Sequence, residues 1–139
     1  MCKAVIIVFA LLFVVEGIAQ VPSKLLDAIA VVESDNKVDA IGDGGKSVGA
    51  YQIGRLYIDD VNAIYGTNYK YSDRTNPKLS REITIKYLTH YGKIYTRKTK
   101  KQPTAEVYAR IHNGGPNGWK KKSTIKYWRK INNVLCNRL

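Results

Sequence analysis

Cysteine is nearly absent from this 139-residue chain: there are two, Cys2 and Cys136. Cys2 lies in an N-terminal leader, so Cys136 is left alone and no internal disulfide can form. A small folded domain without one must be held by packing, and Cys136 is expected as a small buried hydrophobe in preference to an intermolecular linker. Histidine is as scarce, with only His90 and His112, and neither has a Glu or Cys beside it at ligand spacing. That pattern argues against a zinc site, and neither metal nor cofactor is expected. A glycine-rich phosphate loop with its lysine is missing too. Acidic residues are outnumbered 11 to 23 by Lys and Arg, a net charge of +12 and a pI near 9.7. Such a balance implies an anionic partner: nucleic acid, an acidic membrane, or a wall rich in phosphate and carboxylate.

Long apolar runs are also lacking, apart from residues 4–15. Twelve residues are too few to span a bilayer, so an uncleaved membrane anchor is the weaker reading of this segment and no stable membrane insertion is expected. With Lys3 before it and the small residues Gly17-Ile18-Ala19 after it, the run reads as a secretion signal cleaved after Ala19. Residues 20–139 are then one secreted, extracellular domain, expected as a monomer. The leader makes nucleic acid the least attractive partner, and none is expected.

Ser23, as an N-cap, precedes Leu25, Leu26, Ile29 and Val32 at helical spacing, giving a helix over about 22–34. Four glycines between Asp39 and Gly49 suit a small hairpin. A second helical pattern runs from Tyr51 to Ile64 and ends at Gly66, followed by a polar loop from Thr67 to Thr75. Asn76-Pro77 opens a third helix, with Leu79, Ile83, Tyr87 and Tyr91 on one face and an end at or slightly past Gly92. Lys98 to Gln102 reads as a basic loop. Thr104 to His112 is a short helix stopped by Asn113-Gly-Gly-Pro116. Ser123 opens the last helix, with Ile125, Trp128, Ile131 and Leu135 facing inward. The fold class is α+β, mainly α: several helices around a small β-hairpin.

Glu33 lies four positions after Ile29 and seven after Leu26, on the apolar face of its helix. A carboxyl group against an apolar wall has its ionised form disfavoured, which is what a general acid needs. The competing reading is a carboxylate at a frayed helix end turned to water, and the segment alone does not choose. Asp43 follows in the glycine-rich hairpin. Two carboxylates on facing elements are the minimum for cutting a glycosidic bond, yet aspartate beside glycine is also a common turn residue, and Asp35 and Asp39 compete for the role. His112 is read as a hydrogen-bonding structural residue before any pairing with Ser47. The lysine clusters read as solvated loops, and the tyrosine stripe as core.

Several segments carry a resemblance. Val31-Val-Glu-Ser34, Asp43-Gly-Gly-Lys-Ser-Val-Gly-Ala-Tyr-Gln-Ile53, Tyr108-Ala-Arg-Ile-His-Asn-Gly-Gly-Pro-Asn-Gly118 and Ser123-Thr-Ile-Lys-Tyr-Trp128 resemble the invertebrate-type (destabilase-like) lysozymes, in family order from about Leu26 to Leu135. The resemblance implies a lysozyme-like fold with a substrate cleft, Glu33 as catalytic acid and Asp43 as second carboxylate. It places Tyr51, Gln52, His112, Asn113 and Gly114 near the substrate. Apolar residues stand where the family usually has cysteine: Ile29, Ala30 and Val31 before the glutamate, and Trp119 after Asn-Gly. Some relatives are isopeptidases attributed to a serine–histidine pair, for which Ser47 and His112 are the candidates here.

The implied function is a secreted muramidase that hydrolyses the β-1,4 bond between N-acetylmuramic acid and N-acetylglucosamine in bacterial peptidoglycan. The rivals are a lytic transglycosylase using Glu33 alone and a non-enzymatic cationic antimicrobial or wall-binding protein.

Overall fold

The computed structural model describes residues 20–137, so the leader expected over 1–19 lies outside the described residues. Five helices and one two-stranded hairpin make up the domain. Helix α1 (Ser23–Ser34) precedes strands β1 (Ile41–Gly42) and β2 (Ser47–Val48), which are joined by a 3-10 turn over Asp43–Gly45. Then come α2 (Arg55–Tyr65), α3 (Pro77–Thr99), α4 (Ala105–Gly114) and α5 (Ile125–Asn137). Helix α1 packs on α5 and α4, α4 on α3 and α5, and α2 on α3. The expected class, mainly helical with a small hairpin, is the one observed. Among the described residues, no helix is long and apolar enough to cross a membrane.

The core follows the apolar spacing of the sequence. Leu25, Leu26 and Ile29 of α1 are buried with Ile58 and Val61 of α2, Ile83 and Leu88 of α3, Ile111 of α4 and Ile131 of α5. Ile29 and Ala30 are both in this core. Trp119 packs against it and meets the ring of Tyr95 edge-on, centroids 5.1 Å apart.

Several boundaries differ from the expectations. Pro22, not Ser23, occupies the N-cap of α1 and makes no side-chain cap; the Ser23 hydroxyl instead accepts from Arg81 Nη2 at 2.8 Å. Helix α3 runs through Gly92 to Thr99, taking Lys98 and Thr99 out of the expected loop. Gly92 serves packing: a Cβ there would lie 2.6 Å from Tyr108 Cε1, so its absence lets α4 approach. Ser123 sits in a 3-10 turn ahead of α5, and Ile125 is exposed at the helix start. Cys136 is exposed as well, contrary to the buried placement expected. On α5 the core-facing residues are Tyr127, Trp128, Ile131, Val134 and Leu135, and Cys136, next in the chain after Leu135, turns to solvent.

Candidate active site

The end of α1 is closed, not frayed. Asp35 takes the left-handed conformation and its N–H donates to Val31 O at 2.9 Å, while Asn36 N–H reaches Ala30 O at 3.1 Å. The Ser34 hydroxyl donates to Ala50 O at 2.9 Å, fixing this helix end to the chain leaving the hairpin. Glu33 is thereby held with its side chain only 18% exposed, which answers the choice left open by the sequence.

The hairpin is braced from below. Gly49, at φ +85°, sits so close to the Arg74 carbonyl that a Cβ would stand 1.9 Å from its oxygen. Arg74 is buried, and its guanidinium donates to Ile53 O at 3.1 Å and Tyr71 O at 2.8 Å. Asp43 begins the turn in the left-handed region (φ 49°), which aspartate tolerates better than most side chains. Its Oδ2 accepts from Ser47 Oγ at 2.8 Å.

Glu33, Asp43, Ser47, Gln52, Tyr57, His112 and Asn113 line one cleft of about 280 Å³. The structure thus brings the two candidate carboxylates to a single opening. Asp35 and Asp39, the competitors of Asp43, are exposed and do not line it.

His112, on α4, faces Glu33 with its Nε2 3.6 Å from Oε1. Nε2 also lies 3.0 Å from the Tyr51 carbonyl, which can only accept, so Nε2 carries the proton. Nδ1 is then the acceptor for the Tyr57 hydroxyl at 3.1 Å. Burial lowers the His112 pKa, partly opposed by the Glu33 charge and the bond to Tyr51. With both ring nitrogens engaged, and Ser47 bonded to Asp43, no Ser47–His112 pair forms. Among the described residues, no three His, Cys, Asp or Glu side chains gather as a metal site.

The other expected contacts divide. Asn113 is exposed on the cleft wall. Gln52 lines the cleft, but its amide nitrogen bridges Ala40 O and Gly49 O at 3.2 and 3.0 Å. The Tyr51 ring is buried and its hydroxyl accepts from Arg81 Nη1 at 2.9 Å, so Tyr51 reaches the site through its carbonyl. Gly114 is not among the residues lining the cleft, and it packs closely on Thr124, where a Cβ would be 2.5 Å from Cγ2.

Residues 22–134 match the family described as Destabilase. The chain belongs to this family. Over 91 residues it is 34% identical to a lysozyme of Magallana gigas, covering 66% of the chain and 62% of that relative's length. Over 121 residues it is 31% identical to invertebrate-type lysozyme 6 of Caenorhabditis elegans, covering 82% and 87%. Its fold is similar to that in the crystal structure of Tapes japonica lysozyme, with a TM-score of 0.67 and 29% identity over 81% of this chain and 89% of the other. The chain thus spans less than two thirds of the oyster relative.

In this destabilase-family chain the Ala-Arg-x-His-Asn-Gly-Gly-Pro-x-Gly motif is largely a scaffold for His112. Arg110 donates to Thr124 Oγ1, Glu106 and the Lys121 carbonyl, and a Cβ at Gly118 would lie 1.9 Å from Arg110 O. Two tyrosines escaped the sequence reading. Tyr57 lines the cleft and stacks on Tyr87, with centroids 3.6 Å apart. Tyr127 places its hydroxyl beside Glu33. Spacing held the signal for both, since each lies four residues before a fully buried one, Val61 and Ile131.

Proposed function

We propose that the protein is a secreted muramidase acting on bacterial peptidoglycan, with Glu33 as the general acid and Asp43 as the second carboxylate. The observation that carries this reading is the shared cleft: a mostly buried Glu33 on α1 and an exposed Asp43 on the hairpin open onto one space. In that geometry Glu33 delivers a proton to the leaving glycosidic oxygen. Asp43 stabilises or attacks the oxocarbenium centre as it develops. Ser47, bonded to Asp43, orients that carboxylate.

A retaining mechanism calls for carboxyl groups about 5 Å apart, and a gap of ~8 Å or more would argue for inversion or for a transglycosylase using Glu33 alone. Names of relatives support the lysozyme reading, and the apolar leader over residues 4–15 supports secretion. Net charge of +12 suits an anionic wall.

The test is mass spectrometry of products released from purified peptidoglycan, with Glu33→Gln and Asp43→Asn in parallel. Reducing-end muropeptides from the wild type and none from Glu33→Gln support the muramidase. Anhydro-ended products, with Asp43→Asn still active, would move the protein to the lytic transglycosylases. Absence of any soluble product would leave wall binding as the function.

A further inference from the structure

Tyr127 carries a hydroxyl whose hydrogen-bonding capacity is unspent. Among the described residues, its oxygen is the one buried side-chain polar atom that completes no hydrogen bond. Native folds rarely leave such a group unmatched, and exceptions often sit at reacting centres. The ring packs against the core on α5, which lies along α1, and the hydroxyl lies close enough to interact with the Glu33 carboxyl. Burial, and after it the Glu33 charge, push the phenol well above its ordinary range, so it remains a neutral O–H.

The other groups at Glu33 have their bonds assigned. From α4, His112 Nε2–H is directed to the Tyr51 carbonyl. From α2, Tyr57 donates to His112 Nδ1. From the hairpin, Asp43 is an acceptor already engaged by Ser47. Tyr127, from α5, is the buried donor left over among the described residues.

We propose that Tyr127 is a positioning residue for Glu33, its O–H donating to the carboxylate that forms as Glu33 gives its proton to the leaving oxygen. This rests on the reading of Glu33 as the acid. In the step, the Glu33 O–H bond breaks as the proton bonds to the glycosidic oxygen. The C–O bond to the sugar cleaves with its electron pair going to that oxygen, and Tyr127 keeps its own proton throughout. A bond that strengthens only as charge develops lowers the barrier without tightening substrate binding. Charge-assisted bonds are also the stronger kind.

Tyr127→Phe in the mature protein tests this, with Glu33→Gln beside it. The substitution keeps the volume and removes a hydroxyl without a partner, so the melting temperature is expected to hold or rise. The kcat is expected to fall about ten- to a hundredfold with little change in KM, the worth of one bond to a charged group. Losing a donor disfavours the carboxylate, so the Glu33 midpoint rises and the falling alkaline limb of kcat moves to higher pH. Carbon-13 NMR of the Glu33 carboxyl reads the same midpoint without turnover. A midpoint that stays or falls in Tyr127→Phe overturns the proposal. Full activity in Glu33→Gln would instead sink the acid assignment, while the NMR titration still judges the bond.

Discussion

Ser34 donates a 2.9 Å hydrogen bond to the carbonyl of Ala50, and that bond joins the helix bearing Glu33 to the chain leaving the hairpin that bears Asp43. Ser34→Ala leaves the Ala50 carbonyl without this donor in a buried setting. A loss of about 1–3 kcal/mol is expected in denaturant unfolding. Because the tie is local, amide exchange at Val48 and Ile53, which pair across the hairpin base, is expected to speed up more than at Ile83 or Leu88. Uniform acceleration would mean that the bond only supports global stability.

His112 makes stability depend on pH, with a sign fixed by its burial. Its folded pKa lies below the ordinary 6.5 because burial disfavours the charged ring. The unfolded chain therefore binds the proton first as pH falls, and stability is lost downward from about 6.5 until the folded pKa is passed. His90 is lowered for the same leading reason and adds to the slope. Unfolding free energies of wild type, His112→Gln and His90→Gln between pH 8 and 5 check this. Each variant is expected to show a shallower fall than wild type, and an unchanged slope in His112→Gln would refute the buried neutral imidazole.

Gly92→Ala sets two effects against each other. Alanine in a helix interior gains roughly 1 kcal/mol over glycine. The new methyl, however, would stand 2.6 Å from Tyr108 Cε1 and 3.2 Å from Pro103 Cγ, and overpacking a core costs about 1–3 kcal/mol. Tyr108 is buried, so its ring has little room to retreat. The net result is expected to be destabilising, seen as a lower melting temperature. A rise would show that α3 and α4 can separate at small cost.

Much of this architecture was legible in periodicity. Leu25, Leu26 and Ile29 of α1, Ile83 and Tyr87 of α3, and Ile131 of α5 are buried as their spacing requires, and Asn76 caps α3 through Lys78 and Leu79 N–H. Gly92 misled because a glycine that stops a helix and one that admits a neighbouring ring look alike in sequence. Arg74 was invisible for a different reason: its partners, the carbonyls of Tyr71 and Ile53, have no side-chain signature. At the site, helical phase placed Glu33 on the buried side of α1, and the family motif supplied Asp43, which local spacing could not separate from Asp35 and Asp39. Tyr51 lies in the right motif but sends its ring to Arg81 and only its carbonyl to His112, since a motif gives proximity along the chain and not direction.

Cys136 is exposed and free. It is expected to react with a thiol reagent in the native protein at a rate close to that of the unfolded chain. Cys136→Ser should shift stability by less than about 0.5 kcal/mol, as for surface positions generally. Protection of the thiol in the native state would place it in a contact between copies of the chain.

Charge and chemistry should separate under salt. Lys126, Arg129 and Lys130 are exposed on α5, as are Lys120, Lys121 and Lys122 ahead of it, in a chain whose net charge is +12. Attraction to an anionic wall acts over roughly 10 Å at 0.1 M salt and about 3 Å at 1 M. Lysis of whole cells is therefore expected to fall steeply over that range, because it depends on holding the enzyme against the wall. Cleavage of a short soluble fragment of the same glycan, which carries few charges, is expected to change little, because the proposed Glu33 chemistry does not depend on that attraction. Measuring both rates on one preparation discriminates between steering and chemistry. Parallel loss on both substrates would show that salt acts on the cleft, and the basic surface would then have no part in reaching the wall.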